Sequence, residues 1–214
     1  MDLRLVTTLP RVALGLTTTL ATAACGFAPA GDAAPLAERL AARAYLDVAP
    51  TSAVAVTAIA HGQAQPLTPT IVGGEVVART TADGYLLIED LTLPLADVTV
   101  PAGMFGPRPV RFTDLALSLG TQLAVPIAAD GPADAIAGFG RADLILAWAL
   151  VADDGTAWPL GLRRAPRTTF TVAVTADDDG TLRADLAARI DGTAVEVAAG
   201  AALRDLTLTV TSAE

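Results

Sequence analysis

Apolar and polar residues alternate along most of this chain from about position 51 to the C-terminus. In Leu91, Leu93 and Leu95 every second side chain is apolar, and the same alternation recurs over 115–119, 170–174 and 206–210. Successive side chains of a β-strand point to opposite faces, so this pattern places one face in a core and the other in water. It predicts an all-β, mainly antiparallel fold.

The connections between these apolar runs carry a common turn signal. Asp-Gly pairs tolerate the positive φ that tight hairpins require, and they occur at Asp83-Gly84, Asp130-Gly131, Asp154-Gly155, Asp179-Gly180 and Asp191-Gly192. We expect hairpins around Gly84, Gly155, Gly180 and Gly192. Strands joined in this way predict either a β-sandwich or a curved open barrel.

One short N-terminal helix is predicted before the strands. Asp32 can cap it, and Leu36, Leu40 and Ala44 recur at four-residue spacing. We expect this helix to end near Asp47. The following sequence suits one domain, so residues 36–214 are predicted to form a single β-rich domain.

Beyond position 51, a local Asp-Leu-x-Leu pattern occurs four times, beginning at Asp90, Asp114, Asp143 and Asp205. The spacings are 24, 29 and 62 residues, whereas a solenoid would need a constant period. We interpret the pattern as strands that begin with an acidic residue. An ancient duplication is the alternative.

One segment, residues 144–151, is apolar at consecutive positions rather than at alternate ones. Such a run is typical of a strand that is covered on both faces. The simpler interpretation is that this strand belongs to the hydrophobic core. The functional alternative is an apolar pocket for an acyl chain, lined by Leu146, Trp148 and Leu150 together with Trp158.

Residue types that carry catalysis are scarce. His61 is the only histidine, lysine is absent, and none of the three serines lies in a G-x-S-x-G turn. The acidic turn at 177–180 does not fit a calcium loop, because the twelfth position falls on Leu186 rather than on glutamate. Gly138-Phe139-Gly140 lacks the rest of a phosphate loop, so we interpret its glycines as turn residues. We therefore predict no enzyme activity, no metal and no cofactor.

The chain is acidic, with a formal net charge of −9. Nucleic acid is an unfavourable partner for such a surface. Arg163, Arg164 and Arg167 form the densest basic cluster and are candidates for contact with lipid headgroups or another anionic partner. Because Pro159 and Pro166 flank them, a solvated edge strand protected by charge is the simpler prediction.

The first 25 residues resemble an export signal. Arg4 and Arg11 precede a short apolar region from Val12 to Leu20. The following Thr22-Ala23-Ala24-Cys25-Gly26 resembles the lipobox of bacterial lipoproteins, with Thr22 where leucine is typical. The resemblance implies a signal peptide at 1–24, lipidation of Cys25, and a flexible tether over 25–35. Ordinary secretion, with cleavage after Ala23, is the alternative.

These observations predict an exported protein of the cell envelope, anchored by lipid to the outer membrane or the cell surface. The leading hypothesis is a non-catalytic protein that binds or scaffolds another envelope component, such as a lipid or an envelope protein. The alternative is a carrier of a lipid or other apolar small molecule in a cavity of a curved β-sheet. An enzyme is the least favoured hypothesis, because no catalytic motif supports it.

Overall fold

The computed structural model describes residues 35–177, 179–190 and 199–212. One helix, α1 (Leu36–Arg39), precedes the strands. The strands are β1 (Ala44–Val48), β2 (Ala53–Ala60), β3 (Gln63–Leu67), β4 (Glu75–Thr80), β5 (Tyr85–Pro94), β6 (Val98–Val100), β7 (Val110–Leu119), β8 (Leu123–Pro126), β9 (Ala135–Ala152), β10 (Gly161–Ala176), β11 (Leu182–Arg189) and β12 (Ala199–Ser212).

The strands form one antiparallel sheet that closes on itself. The hydrogen-bonded order β1-β4-β5-β7-β9-β10-β11-β12 returns to its start because β12 also pairs with β1. The β2–β3 hairpin is attached to the first half of β12, β6 pairs with β7, and β8 lies between β5 and β9. The predicted all-β, antiparallel class is confirmed. Of the two predicted architectures, the curved barrel describes the ring of eight strands.

The predicted alternation is confirmed in the core. β11 alternates strictly between buried and exposed positions, and β10 buries Phe170, Val172 and Val174. Phe112 and Phe170 are the largest fully buried side chains, and leucine and valine are the commonest residues of the described core. Period-two burial therefore fills the interior of the ring with aliphatic side chains.

The helix is much shorter than its spacing predicted. It ends at Arg39, and Ala44 begins β1, which pairs with β4 and β12. Three apolar residues at four-residue spacing are too few to outweigh this strand pairing, so tertiary context overrides the local pattern. Helix α1 instead contacts one end of the ring, where Thr80 Oγ1 donates a 2.6 Å hydrogen bond to the Ala37 carbonyl oxygen.

The Asp-Leu-x-Leu segments do not start strands, which corrects our interpretation. The strand pairings of the described residues contain four register shifts, and each lies at, beside or opposite one of the four aspartates. At these shifts one strand carries an extra residue, which bends the strand and increases its twist. The recurring pattern thus marks the β-bulges that help a long sheet to curve.

The Gly138-Phe139-Gly140 segment also needs a correction, because it lies inside β9 rather than in a turn. A Cβ on Gly140 would stand 2.6 Å from the Ala124 carbonyl oxygen, and one on Gly138 would stand 2.8 Å from Val125 Cγ1. These glycines allow β8 to approach β9 closely.

The turn predictions are confirmed where they can be compared. Gly84, Gly155 and Gly180 have positive φ angles in turns after β4, β9 and β10, whereas Gly192 lies outside the described residues. Across the described ranges, no helix has the length and apolar character needed to cross a membrane.

Candidate functional site

A cleft of about 470 Å³ lies beside the first half of β10. Its apolar walls come from three strands and the residue after a fourth, and include Leu144, Leu146, Ile190 and Leu203. Its polar lining contains the three predicted arginines, Arg163, Arg164 and Arg167, together with Arg189. The cleft therefore combines an apolar surface with guanidinium groups, and its size falls in the range of roughly 300–1,000 Å³ that is common for small-molecule sites.

The three arginines occupy different positions around this cleft. Arg163 lies directly opposite Leu146 in the β9–β10 pairing, so both side chains lie on the same face of the sheet. Leu146 is buried in the core, which places Arg163 on the interior face. Arg163 Nη1 is buried and has no hydrogen-bond partner among the described residues.

A β-bulge brings Arg164 and Arg167 to the cleft. Between Ala165 and Thr168 the register shifts, so that Pro166 and Arg167 together oppose Asp143 alone. Arg167 has a φ of 52°, a left-handed conformation that is unusual for a residue other than glycine. Proline fits here because it has no backbone N–H to pair.

Asp143 holds this bulge together. Its Oδ1 accepts a 2.7 Å hydrogen bond from the Arg167 backbone N–H, and its Oδ2 forms an ion pair with Arg164. The Asp143 N–H donates a 2.9 Å hydrogen bond to Thr121 Oγ1. The hydrogen bond from the Arg167 backbone, and then that from Arg164, lower the pKa of the Asp143 carboxyl below its ordinary value. Asp143 is therefore a charged anchor for the cleft rim.

The basic strand is an edge only along part of its length. β10 pairs with β9 from Gly161 onwards, whereas β11 pairs with it only from Phe170 to Ala176 within the described residues. The segment that carries the arginines accordingly has one strand neighbour in the described part of the chain. The cleft lies along this segment.

The four residues proposed for an apolar pocket do not all line this cleft. Leu146, Trp148 and Leu150 are buried on the interior face of β9, but only Leu146 lines the cleft. Trp148 instead covers Gly161, where a Cβ would overlap the indole ring. Trp158 is 41% exposed in the connection between β9 and β10, where its backbone N–H donates a 2.9 Å hydrogen bond to the Leu150 carbonyl oxygen. The two tryptophans therefore differ in burial, because Trp148 is only 5% exposed.

The outer face of β9 is apolar and only partly covered, contrary to a strand buried on both sides. Its outward residues, Ile145, Ala147, Ala149 and Val151, are half-buried. Ala147 pairs with Leu162 on β10, which is 63% exposed, and Leu160 is 66% exposed. An apolar surface thus extends across the outside of these two strands. We call it the outer β9–β10 face, consisting of these six residues.

The remaining predicted site residues lie away from the cleft or outside the described residues. His61 is exposed in the β2–β3 turn, with a φ of 49°. Cys25 lies outside the described residues, as does the whole predicted signal and almost all of the tether. In the described part of the chain, no group of three or more histidine, cysteine, aspartate or glutamate residues is placed to hold a metal ion.

Sequence reasoning missed Asp143, Ile190 and Leu203 as contributors to the site. Asp143 was visible in the Asp-Leu-x-Leu pattern, but its partner Arg167 depends on the bulge. Ile190 and Leu203 reach the cleft through strand pairings that the linear sequence does not specify. Comparison with protein-family models, curated proteins and solved structures finds no match to this chain.

Proposed function

We propose that this is a non-catalytic, lipid-anchored envelope protein that binds another envelope component, and that the component is an apolar or amphiphilic small molecule held in the arginine-lined cleft. The observation that supports this proposal is the composition of the cleft. Leucine and isoleucine form part of its wall, while Arg163 offers a buried guanidinium nitrogen without a partner in the described residues. A site that contains both kinds of surface suits a ligand with an apolar body and a polar end.

The test is extraction of the purified full chain with organic solvent, followed by mass spectrometry. The protein carries Cys25→Ala, so that an acyl group on that cysteine cannot be mistaken for a bound ligand. We expect a co-purifying apolar molecule. Ala165→Phe, which adds a ring to the cleft lining, should abolish it.

Ala147→Phe is the matched control, because Ala147 lies on the outer face of β9 and does not line the cleft. Retention of the molecule by the Ala165→Phe variant would contradict binding in the cleft. Absence of any extracted molecule, together with no binding of added dodecanol or dodecanoate, would overturn the proposed function.

The lipid anchor is a separate part of this proposal, supported by the lipobox-like residues before Cys25. Cells that express the chain are labelled with a palmitate analogue. We expect label on the wild-type protein and none on Cys25→Ala. Equal labelling of the two proteins would refute the anchor without bearing on the cleft.

A scaffold is the second candidate function, favoured by the outer β9–β10 face. Large exposed apolar patches are typical of interaction surfaces, and Leu160 and Leu162 are each more than half exposed. A photo-crosslinker placed at position 162 should capture one specific envelope component in cells. The same group at Val72, which is 63% exposed, is the control. Identical crosslinks from both positions would contradict a specific scaffold surface.

A further inference from the structure

The charge on Arg163 has an unusual environment. Its strand neighbour on the same face is Leu146, and its Nη1 is shielded from water and donates no hydrogen bond to any of the described residues. A buried donor that lacks a hydrogen bond is costly, and more so when the group is charged. This unsatisfied hydrogen-bond donor therefore points to a partner that is not part of the described chain.

The nearby carboxylate does not supply that partner. Asp143 Oδ1 accepts from the Arg167 backbone and Oδ2 pairs with Arg164. Asp143 therefore compensates the charge of Arg164, while Arg163 keeps an uncompensated guanidinium nitrogen. The cleft lining contains no aspartate or glutamate among the described residues, so the local charge favours an anion despite the acidic character of the whole chain.

The opposite part of the lining is apolar. Leu144 and Leu146 are almost fully buried on the interior face of β9, and Leu203 approaches from β12. An inorganic anion would leave these side chains without a complementary surface. Because these leucines are already shielded from water, an alkyl chain that packs against them would gain from burial of its own apolar surface, roughly 25 cal/mol for each Å² removed from water.

We propose that the cleft binds a single-chain amphiphile with an anionic head group, and that Arg163 binds the head group while the alkyl chain lies against the leucines. This inference rests on the proposed function and specifies its ligand class. The planar guanidinium matches the paired oxygens of a carboxylate or a phosphate. The bulge held by Asp143 places Arg167 at the same rim, where it adds positive charge.

The experiment compares four amphiphiles with the same alkyl chain, using calorimetric titration below their micelle concentrations. Dodecanoate and dodecyl phosphate carry anionic heads, dodecanol a neutral head and dodecyltrimethylammonium a cationic head. We expect both anions to bind at least about tenfold more tightly than dodecanol. The tighter anion identifies the source as a fatty acid or as a phosphate ester. The cation should bind more weakly than dodecanol.

Arg163→Met keeps an unbranched side chain and removes the charge. It should bring both anions to the affinity of dodecanol, while dodecanol binding stays the same. Arg111→Met is the matched control, because Arg111 is exposed on β7 and does not line the cleft. A second variant, Ala165→Asp, adds a carboxylate two residues away on the same face as Arg163, and it should remove the preference for anions as well.

The outcomes separate this inference from the proposed function. Equal affinity of dodecanol and the two anions would overturn head-group recognition and leave the apolar cleft standing. A preference for anions that survives both Arg163→Met and Ala165→Asp would overturn the role of Arg163. Failure of all four amphiphiles to bind would overturn the proposed function itself. Fluorescence recorded in a Trp158→Phe background, in which buried Trp148 is the only tryptophan, confirms that each variant is folded.

Discussion

Single residues show how closely the core is packed. Gly161 begins β10 directly opposite Trp148, and the indole occupies the space that a Cβ would need. The tryptophan can be buried beside the strand pair because the opposing residue has no side chain. A glycine in a strand often marks such a close approach.

Gly161→Ala should therefore destabilise the protein, because the added methyl group forces Trp148 from its position. Overpacking of this kind costs about 1–3 kcal/mol. The measurement is the unfolding midpoint in urea, together with the emission maximum of Trp148. Gly73→Ala is the matched control, because a Cβ there would meet no atom within 4 Å. Equal loss of stability in both variants would contradict the packing explanation.

Glu89 and Asp143 are two of five described carboxyl groups whose pKa is lowered in the folded state, which makes stability sensitive to acid. Hydrogen bonding by Arg79, supported by Arg43, lowers the pKa of Glu89, as the Arg167 backbone and Arg164 do for Asp143. A carboxyl group with a lowered pKa in the folded state contributes stability above its ordinary value, 4.5 for glutamate and 3.8 for aspartate. That contribution is lost as pH falls through the folded pKa.

Urea unfolding followed between pH 7 and pH 3 should consequently show a constant midpoint at the upper end and a decline that begins near pH 4.5. Glu89→Gln should be less stable than wild type at neutral pH and should decline less. Asp97→Asn, at an exposed loop position, should follow the wild-type curve. A Glu89→Gln curve parallel to that of the wild type would contradict this role of the carboxylate.

At the scale of elements, periodicity predicted strands well and their irregularities poorly. Alternation identified β7, β10 and β12, because each strand has one buried face. A bulge places two residues of one strand opposite one residue of its partner, so it depends on both strands and is not visible in the alternation of either one alone. The Asp-Leu-x-Leu pattern marked these places. Its role in the bulge depends on the hydrogen bond that Asp143 accepts from the Arg167 N–H, which links two different strands.

The bulge at the cleft should open when its anchor is removed. Asp143→Ala leaves the Arg167 N–H without its acceptor, so hydrogen exchange of this amide should accelerate by about tenfold. Affinity for dodecanoate should fall in the same variant, because the rim arginines lose their fixed position. The control is Asp97→Ala, which should leave both the exchange rate of the Arg167 amide and the affinity for dodecanoate unchanged. An unchanged exchange rate in Asp143→Ala would show that strand pairing alone maintains the bulge.

At the scale of the whole described unit, the cleft depends on ring closure. Its lining comes from β9, β10 and β12, from Arg189 at the end of β11 and from Ile190 after it. β12 is held on its other side by β1 and β2. The basic cluster was visible in the sequence because its residues are neighbours. The apolar walls were not, since Leu144 and Leu203 come together only through the order of strands around the ring.

Closure between β1 and β12 can be tested with an engineered disulfide. Asp47 and Thr211 are direct partners in this antiparallel pairing and neither is buried. Paired Cα atoms in antiparallel strands are about 4.5–5.5 Å apart, within the range of roughly 4.4–6.8 Å that a disulfide needs. Asp47→Cys with Thr211→Cys, in a chain that also carries Cys25→Ala, should oxidise readily.

The crosslink joins residues near the two ends of the described chain, and a long closed loop restricts the unfolded state strongly. The oxidised protein should gain about 2–4 kcal/mol in free energy of unfolding over its reduced form. Asp47→Cys with Thr207→Cys is the matched control, because Thr207 pairs with Ala53 and Ala187 rather than with β1. Failure of the first pair to oxidise, or equal oxidation of both pairs, would contradict a closed ring and with it the assembly of the cleft.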